Sequence, residues 1–74
     1  MKTATQARQY YIKKARRTIK QAIHARIKRG DCYTTFTFSE ESFKLAEDHA
    51  FWLASMGYHC TINEEEMKMR VSWI

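Results

Sequence analysis

The chain has 74 residues, 45% of them hydrophobic, with two glycines and no proline. This length allows one domain with one core, and the composition is globular rather than disordered. No apolar run approaches the roughly 18 residues of a membrane span, and the N-terminus lacks the apolar stretch of a signal peptide. We therefore expect one domain, residues 1–74, that is cytoplasmic and does not enter a membrane.

The net charge of +5 is divided unevenly along the sequence. Residues 1–30 contain ten Lys or Arg and no acidic residue, whereas residues 31–74 contain three basic and eight acidic residues. Attraction between the two halves can help to dock the first helix, although each exposed pair contributes only about 0–1 kcal/mol. The basic half makes nucleic acid and acidic protein surfaces the partners to consider.

A helix is predicted from about residue 5 to residue 29, followed by Gly30 as its stop. Its core side is a stripe of apolar residues at three- and four-residue spacing: Tyr11, Ala15, Ile19, Ala22, Ile23 and Ile27. The opposite side carries a basic row, Lys13, Arg17, Lys20, His24 and Lys28, flanked by Lys14 and Arg16. Such a row can follow phosphates or meet an acidic protein, and a solvated helix face is the alternative.

The segment CYTTFTFS, residues 32–39, predicts a strand, because it is rich in β-branched and aromatic residues. Ser39 is expected to cap a second helix that ends at Gly57. The inner face of that helix is predicted to consist of Phe43, Ala46, Ala50, Leu53 and Ala54. Phe51 and Trp52 cannot both be central core, and we expect Trp52 to be the partly exposed one. Trp52 and Tyr58 are interface anchors or edge-of-core aromatics.

Two segments, YHCTIN and MKMRVSWI, flank an acidic turn and predict a hairpin. The order is α-β-α-β-β, and a final strand antiparallel to both of the others gives the strand order 1-3-2. The predicted fold class is α+β, with two helices packed on one face of a three-stranded mixed sheet. The residues expected beneath the helices are Met67, Met69, Val71 and Trp73. The other face suits single-stranded nucleic acid, a protein partner or self-association. It is expected to show Tyr33, Thr35, Thr37, His59, Thr61, Lys68, Arg70 and Ser72.

The sequence contains no motif for catalysis or for binding a cofactor. Its glycines stand alone, and its histidines and cysteines lack the spacing of a zinc site. Cys32 and Cys60 are expected to be free thiols in a reducing compartment, unless the strand order allows a bridge between them. We expect no enzyme activity, no cofactor and no metal.

Three segments, YYIKKARRTIKQAI, LASMGYHC and RVSWI, carry a resemblance to a known group of proteins. In outline the chain resembles small uncharacterised proteins encoded by tailed bacteriophages. The resemblance implies that the chain binds a bacterial host or defence protein in the host cytoplasm, and it carries over no functional residue. The strongly basic half departs from the acidic surface of DNA-mimic inhibitors.

We therefore predict a small non-enzymatic interaction protein that inhibits or modulates a bacterial protein. The residues predicted to bind the partner are Lys13, Arg16, Arg17, Lys20, His24, Lys28, Trp52 and Tyr58. The alternative is a small basic nucleic-acid-binding domain that contacts phosphates through the first helix. A third class is a self-assembling protein, since the outer strands of the predicted sheet expose edges for a homo-oligomer.

Overall fold

The computed structural model describes Met1 and residues 3–74. In chain order its elements are α1 (Ala4–Lys28), β1 (Tyr33–Thr37), a 3₁₀ turn (Ser42–Leu45), α2 (Ala46–Ala54), β2 (His59–Asn63) and β3 (Lys68–Ser72). The α-β-α-β-β order predicted from the sequence is therefore confirmed. Neither helix in the described part of the chain combines the length and the apolar character that crossing a bilayer requires.

The three strands form one sheet in the order β1-β3-β2. Strand β3 is antiparallel to both of its neighbours, as predicted. The sheet is antiparallel rather than mixed as expected: β1 and β2 run in the same direction, but β3 lies between them, so every hydrogen-bonded pair is antiparallel. The central strand has no free edge, whereas β1 and β2 each have one.

The core lies between the helices and the sheet. It consists of Ile19, Ile23, Leu53, Met69 and Val71, with partly buried aromatic residues packed around them. Both core residues of β3 are fully buried, which confirms that the last strand lies beneath the helices. Trp73 packs against this cluster as predicted.

Several residues predicted for the core lie outside it. Tyr11 and Ile27 are exposed near opposite ends of the α1 stripe, and Ala54 is exposed at the end of α2. For the two residues of α1 the reason is length: a helix of 25 residues is about 37 Å long, whereas a five-residue strand spans about 17 Å. Only the middle of α1 therefore has a sheet to pack against.

Side-chain hydrogen bonds differ at the starts of the two helical segments. Thr3 and Gln6 form a reciprocal capping box at the start of α1. At the second segment the Ser42 backbone N–H donates to the Ser39 hydroxyl (3.2 Å), and the Ser39 N–H donates to the Ser42 hydroxyl (2.9 Å). The prediction that Ser39 caps the second helix is therefore wrong: this serine pair closes the turn before a 3₁₀ segment, α2 begins only at Ala46, and the N-cap residues Glu41 and Leu45 make no side-chain cap.

The strand order keeps the two thiols apart. Cys32 immediately precedes β1 and Cys60 lies in β2, so β3 separates them. Two strand spacings amount to about 10 Å, and a disulfide needs Cα atoms within roughly 7 Å. Both cysteines are free, and burial raises the pKa of the Cys60 thiol.

Gly57 ends α2 with a left-handed backbone, φ = 94°. We expect Gly57→Ala to lower the free energy of unfolding by about 1 kcal/mol, because a Cβ is disfavoured at positive φ. No other atom lies within 4 Å of an added Cβ, so the cost is one of backbone conformation alone. Gly57→Asn is the matched control and should cost less, since Asn tolerates this region. Urea unfolding measures both, and equal stability of Gly57→Ala and the parent would contradict the prediction.

Candidate functional site

A groove separates α1 from α2, and we call it the interhelical groove. It consists of two adjoining depressions that share Lys20. The first, the cationic half, measures about 380 Å³ and is lined by Lys13, Arg16, Arg17, Lys20 and Trp52. The second, the apolar half, measures about 210 Å³ and is lined by Lys20, Ile23, His24, Ile27, Leu53, Met56 and Tyr58. The groove therefore offers positive charge at one end and apolar side chains at the other.

Trp52 is held against the cations of the cationic half. The guanidinium carbon of Arg16 lies 4.9 Å from the centre of the Trp52 ring, and Nζ of Lys20 lies 5.7 Å from it. Each such cation–π contact contributes about 0.5–1 kcal/mol where it is partly exposed. Arg16 Nε is buried without a hydrogen-bond partner. These contacts fix the orientation of the two basic side chains over the indole.

The basic residues of the groove have no acidic partner within the described chain. No carboxylate of residues 3–74 forms an ion pair with Lys13, Arg16, Arg17 or Lys20. The ion pair of α1 is instead a local one, from Arg26 to Asp31 at 3.3 Å. Among the described residues, the ion pairs that join the two charged halves are those of Arg26 and Arg29 with Asp31, and the groove retains its positive charge.

Seven of the eight predicted binding residues line the interhelical groove; Lys28 lies at the last position of α1 and does not. Tyr58 forms part of the apolar wall, and its ring meets Trp73 edge-on with the ring centres 6.3 Å apart. Trp52 is expected from the sequence to be the more exposed of the two neighbouring aromatics, but this is wrong: Phe51 is 81% exposed, whereas Trp52 is half-buried and packs against the core cluster.

The predicted binding set omits Ile27 and Met56, which are exposed apolar residues of the groove. Ile27 follows Ile23 by four residues, so its spacing is indistinguishable from that of a core residue. Met56 follows the end of α2, and the sequence gives no sign that it faces α1. The apolar half could therefore not be found from periodicity.

His49 is a buried polar residue that the predicted set also omits. It is 2% exposed, and its ring stacks with Phe38 at 6.5 Å between ring centres. Burial lowers the pKa of His49, the positive charge of Arg16 lowers it further, and Asp48 partly opposes them. The spacing of Ala46, His49 and Leu53 on one face of α2 is the signal that places it inside.

The face of the sheet opposite the helices is exposed, as predicted. Its charged residues already have partners: the Arg70 guanidinium lies 4.3 Å from the centre of the Tyr33 ring, and Lys68 forms a 3.1 Å ion pair with Glu66. This face therefore offers a partner fewer free charges than the interhelical groove.

No protein-family model, curated protein or solved structure matches this chain. Fold and surface together define a small α+β domain whose long basic helix forms one wall of a groove. Within the described residues, no three His, Cys, Asp or Glu side chains come together as a metal site would require.

Proposed function

We propose that the chain is a non-enzymatic interaction protein that binds a segment of another protein in the interhelical groove. One observation carries the proposal: the cationic half and the apolar half of the groove lie side by side and share Lys20. The bound segment carries carboxylates toward Arg17 and Lys20 and an apolar side chain toward Met56 and Tyr58. Aromatic and Arg residues beside a pocket are the usual anchors of protein interfaces.

The apolar half favours a protein partner over nucleic acid. A phosphate backbone satisfies the cations of α1 but leaves Ile27 and Met56 without contacts. The resemblance to phage proteins supports a bacterial host or defence protein as the partner, which the chain inhibits or modulates in the host cytoplasm. The two free thiols are consistent with that reducing compartment.

Charge reversal in the groove tests this proposal. We expect Arg17→Glu with Lys20→Glu to reduce partner capture from nuclease-treated bacterial lysate by at least about tenfold, because two attractive contacts become repulsive. Arg8→Glu with Lys14→Glu is the matched control, since it changes the net charge equally at positions outside the groove. Quantitative mass spectrometry of the captured proteins should show the control within about twofold of the parent. Equal loss with both pairs would contradict binding in the groove.

Nucleic-acid binding is the second candidate, because α1 carries eight Lys or Arg and no acidic residue. Each phosphate contact then adds about −0.9 to the slope of log affinity against log salt for duplex DNA. Binding of random DNA and RNA at two salt concentrations measures that slope. A steep slope, with both charge-reversal pairs weakened alike, would favour this candidate, and no binding at low salt would end it.

A further inference from the structure

The backbone groups along the walls of the interhelical groove already have partners within the chain. The α1 wall of the apolar half, from Lys20 to Ile27, lies inside the helix, where each N–H donates to the carbonyl four residues earlier. At the end of α2 the Leu53 carbonyl accepts from the N–H groups of Met56 (3.0 Å) and Tyr58 (3.2 Å). Among the described residues, none that lines the groove belongs to a strand, so neither free strand edge opens into it.

An extended segment lying in the groove would therefore leave backbone N–H and C=O groups unpaired. The apolar half is lined mainly by aliphatic side chains, and the polar side chains in its lining are those of Lys20, His24 and Tyr58. A backbone group that leaves water without finding a new hydrogen bond weakens binding. A helix pairs its backbone groups internally, so it can lie along apolar walls without this loss.

The two halves of the groove follow one another along α1 at a helical spacing. The cationic half spans Lys13 to Lys20 and the apolar half spans Lys20 to Ile27, so their centres are seven residues apart. Seven residues correspond to about 10.5 Å along a helix, which is close to two turns. Two residues seven positions apart on a bound helix have the same separation and share one face.

We propose that the segment bound in the interhelical groove is an amphipathic helix whose acidic residues lie seven positions from its apolar residues on one face. This inference rests on the proposed function, because it names the form of the segment that the groove binds. Charge complementarity directs the acidic residues to the cationic half, since none of its basic side chains forms an ion pair with a carboxylate of residues 3–74. The apolar residues contact Ile27 and Met56, which are 44% and 47% exposed.

Three designed peptides test the helix on the parent protein. The first is a blocked peptide of fourteen residues, built from alanine and glutamine, with glutamate at its third and sixth positions and leucine at its tenth and thirteenth. All four side chains share one helical face, and a version with the reversed order covers both directions of binding. We expect one of these two to bind, measured by fluorescence anisotropy, and to gain helicity on binding, measured by circular dichroism.

The other two peptides separate the helix from its composition. One moves both leucines to the eighth and eleventh positions, where they face away from the glutamates. The other keeps the first sequence but has proline at the eighth position, on the outward face, where it breaks the helix. Each should bind at least about tenfold more weakly than the first, because the face or the helix is lost.

Two protein variants assign the contacts of the peptide. Met56→Gln should weaken binding of the first peptide by about fivefold, because it places a polar group in the apolar half. Phe51→Gln is the matched control, since Phe51 is an exposed apolar residue of α2 outside the groove, and it should change binding by less than about twofold. Arg17→Glu with Lys20→Glu should weaken binding at least about tenfold.

The outcomes separate this inference from the proposed function. Equal binding of the proline peptide and the first peptide would overturn the helix, as would equal binding of the peptide with displaced leucines. Absence of peptide binding at millimolar concentration, together with lysate capture that depends on Arg17 and Lys20, would also overturn it and leave the proposed function standing. Peptide binding with the expected preferences, but no groove-dependent capture from lysate, would support the helix and contradict the proposed function alone.

Discussion

Leu53→Ala is expected to lower the free energy of unfolding by about 2–5 kcal/mol, the range found for buried Leu→Ala substitutions. Leu53 is 0% exposed and packs with Ile19, Ile23, Met69 and Val71. Removing its side chain leaves a cavity where both helices and the central strand meet. A single core in a chain this short supplies only about 3–5 kcal/mol, so the variant should be largely unfolded at room temperature.

Phe51→Ala is the matched control, two residues earlier on the same helix. Phe51 is 81% exposed, so its truncation should change the free energy of unfolding by no more than about 0.5 kcal/mol. Urea denaturation followed by far-ultraviolet circular dichroism measures both variants. Similar losses of stability for Leu53→Ala and Phe51→Ala would show that α2 does not pack as described.

The fold could be predicted because its strongest signals are local and agree with one another. Met69 and Val71 alternate with charged and polar residues, which gives β3 one apolar face. The acidic turn before β3 pairs it with β2, and the connectivity allows β3 to lie beside β1 as well. The order β1-β3-β2 is the one predicted among the arrangements that this connectivity allows, and the structure confirms it.

The edges of the core could not be predicted, because they depend on how far each element extends past its neighbour. Ile23 and Ile27 have the same chemistry and spacing, yet one is buried and the other is 44% exposed. Phe51 and Trp52 differ by one helical step, and the side on which α2 meets α1 decides which is covered. Periodicity gives the direction of a side chain but not the presence of a neighbour to cover it.

The cationic half of the candidate site could be predicted from the sequence, whereas the apolar half could not, because only the cationic half depends on local helix spacing. Lys13, Arg17 and Lys20 share a face of α1 by spacing alone, so any packing of the helix keeps them together. The apolar half depends on Met56 and Tyr58, which follow α2 and reach α1 only through the tertiary fold.

Stability is expected to fall as the pH decreases from about 7.5 to 5.5, because His49 is buried and neutral. Burial and Arg16 lower its pKa in the folded state below the ordinary value of 6.5, with Asp48 partly opposing them. Below pH 6.5 the unfolded chain therefore binds a proton at this residue before the folded chain does. The contribution of neutral His49 to the free energy of unfolding is complete above the pKa that this residue has in the unfolded chain. It is lost as the pH falls toward the lower pKa that His49 has in the folded chain.

One such proton changes the free energy of unfolding by at most about 1.4 kcal/mol per pH unit, which is a large fraction for a domain of this size. Urea midpoints across this range measure the slope, and the range lies above the ordinary pKa values of Asp and Glu. His49→Phe should flatten the dependence, since no buried imidazole then has to remain neutral. His59→Gln, at an exposed position on β2, should leave it in place. A parent protein whose stability does not change over this range would contradict a buried, neutral His49, because proton linkage requires the slope wherever the two pKa values differ.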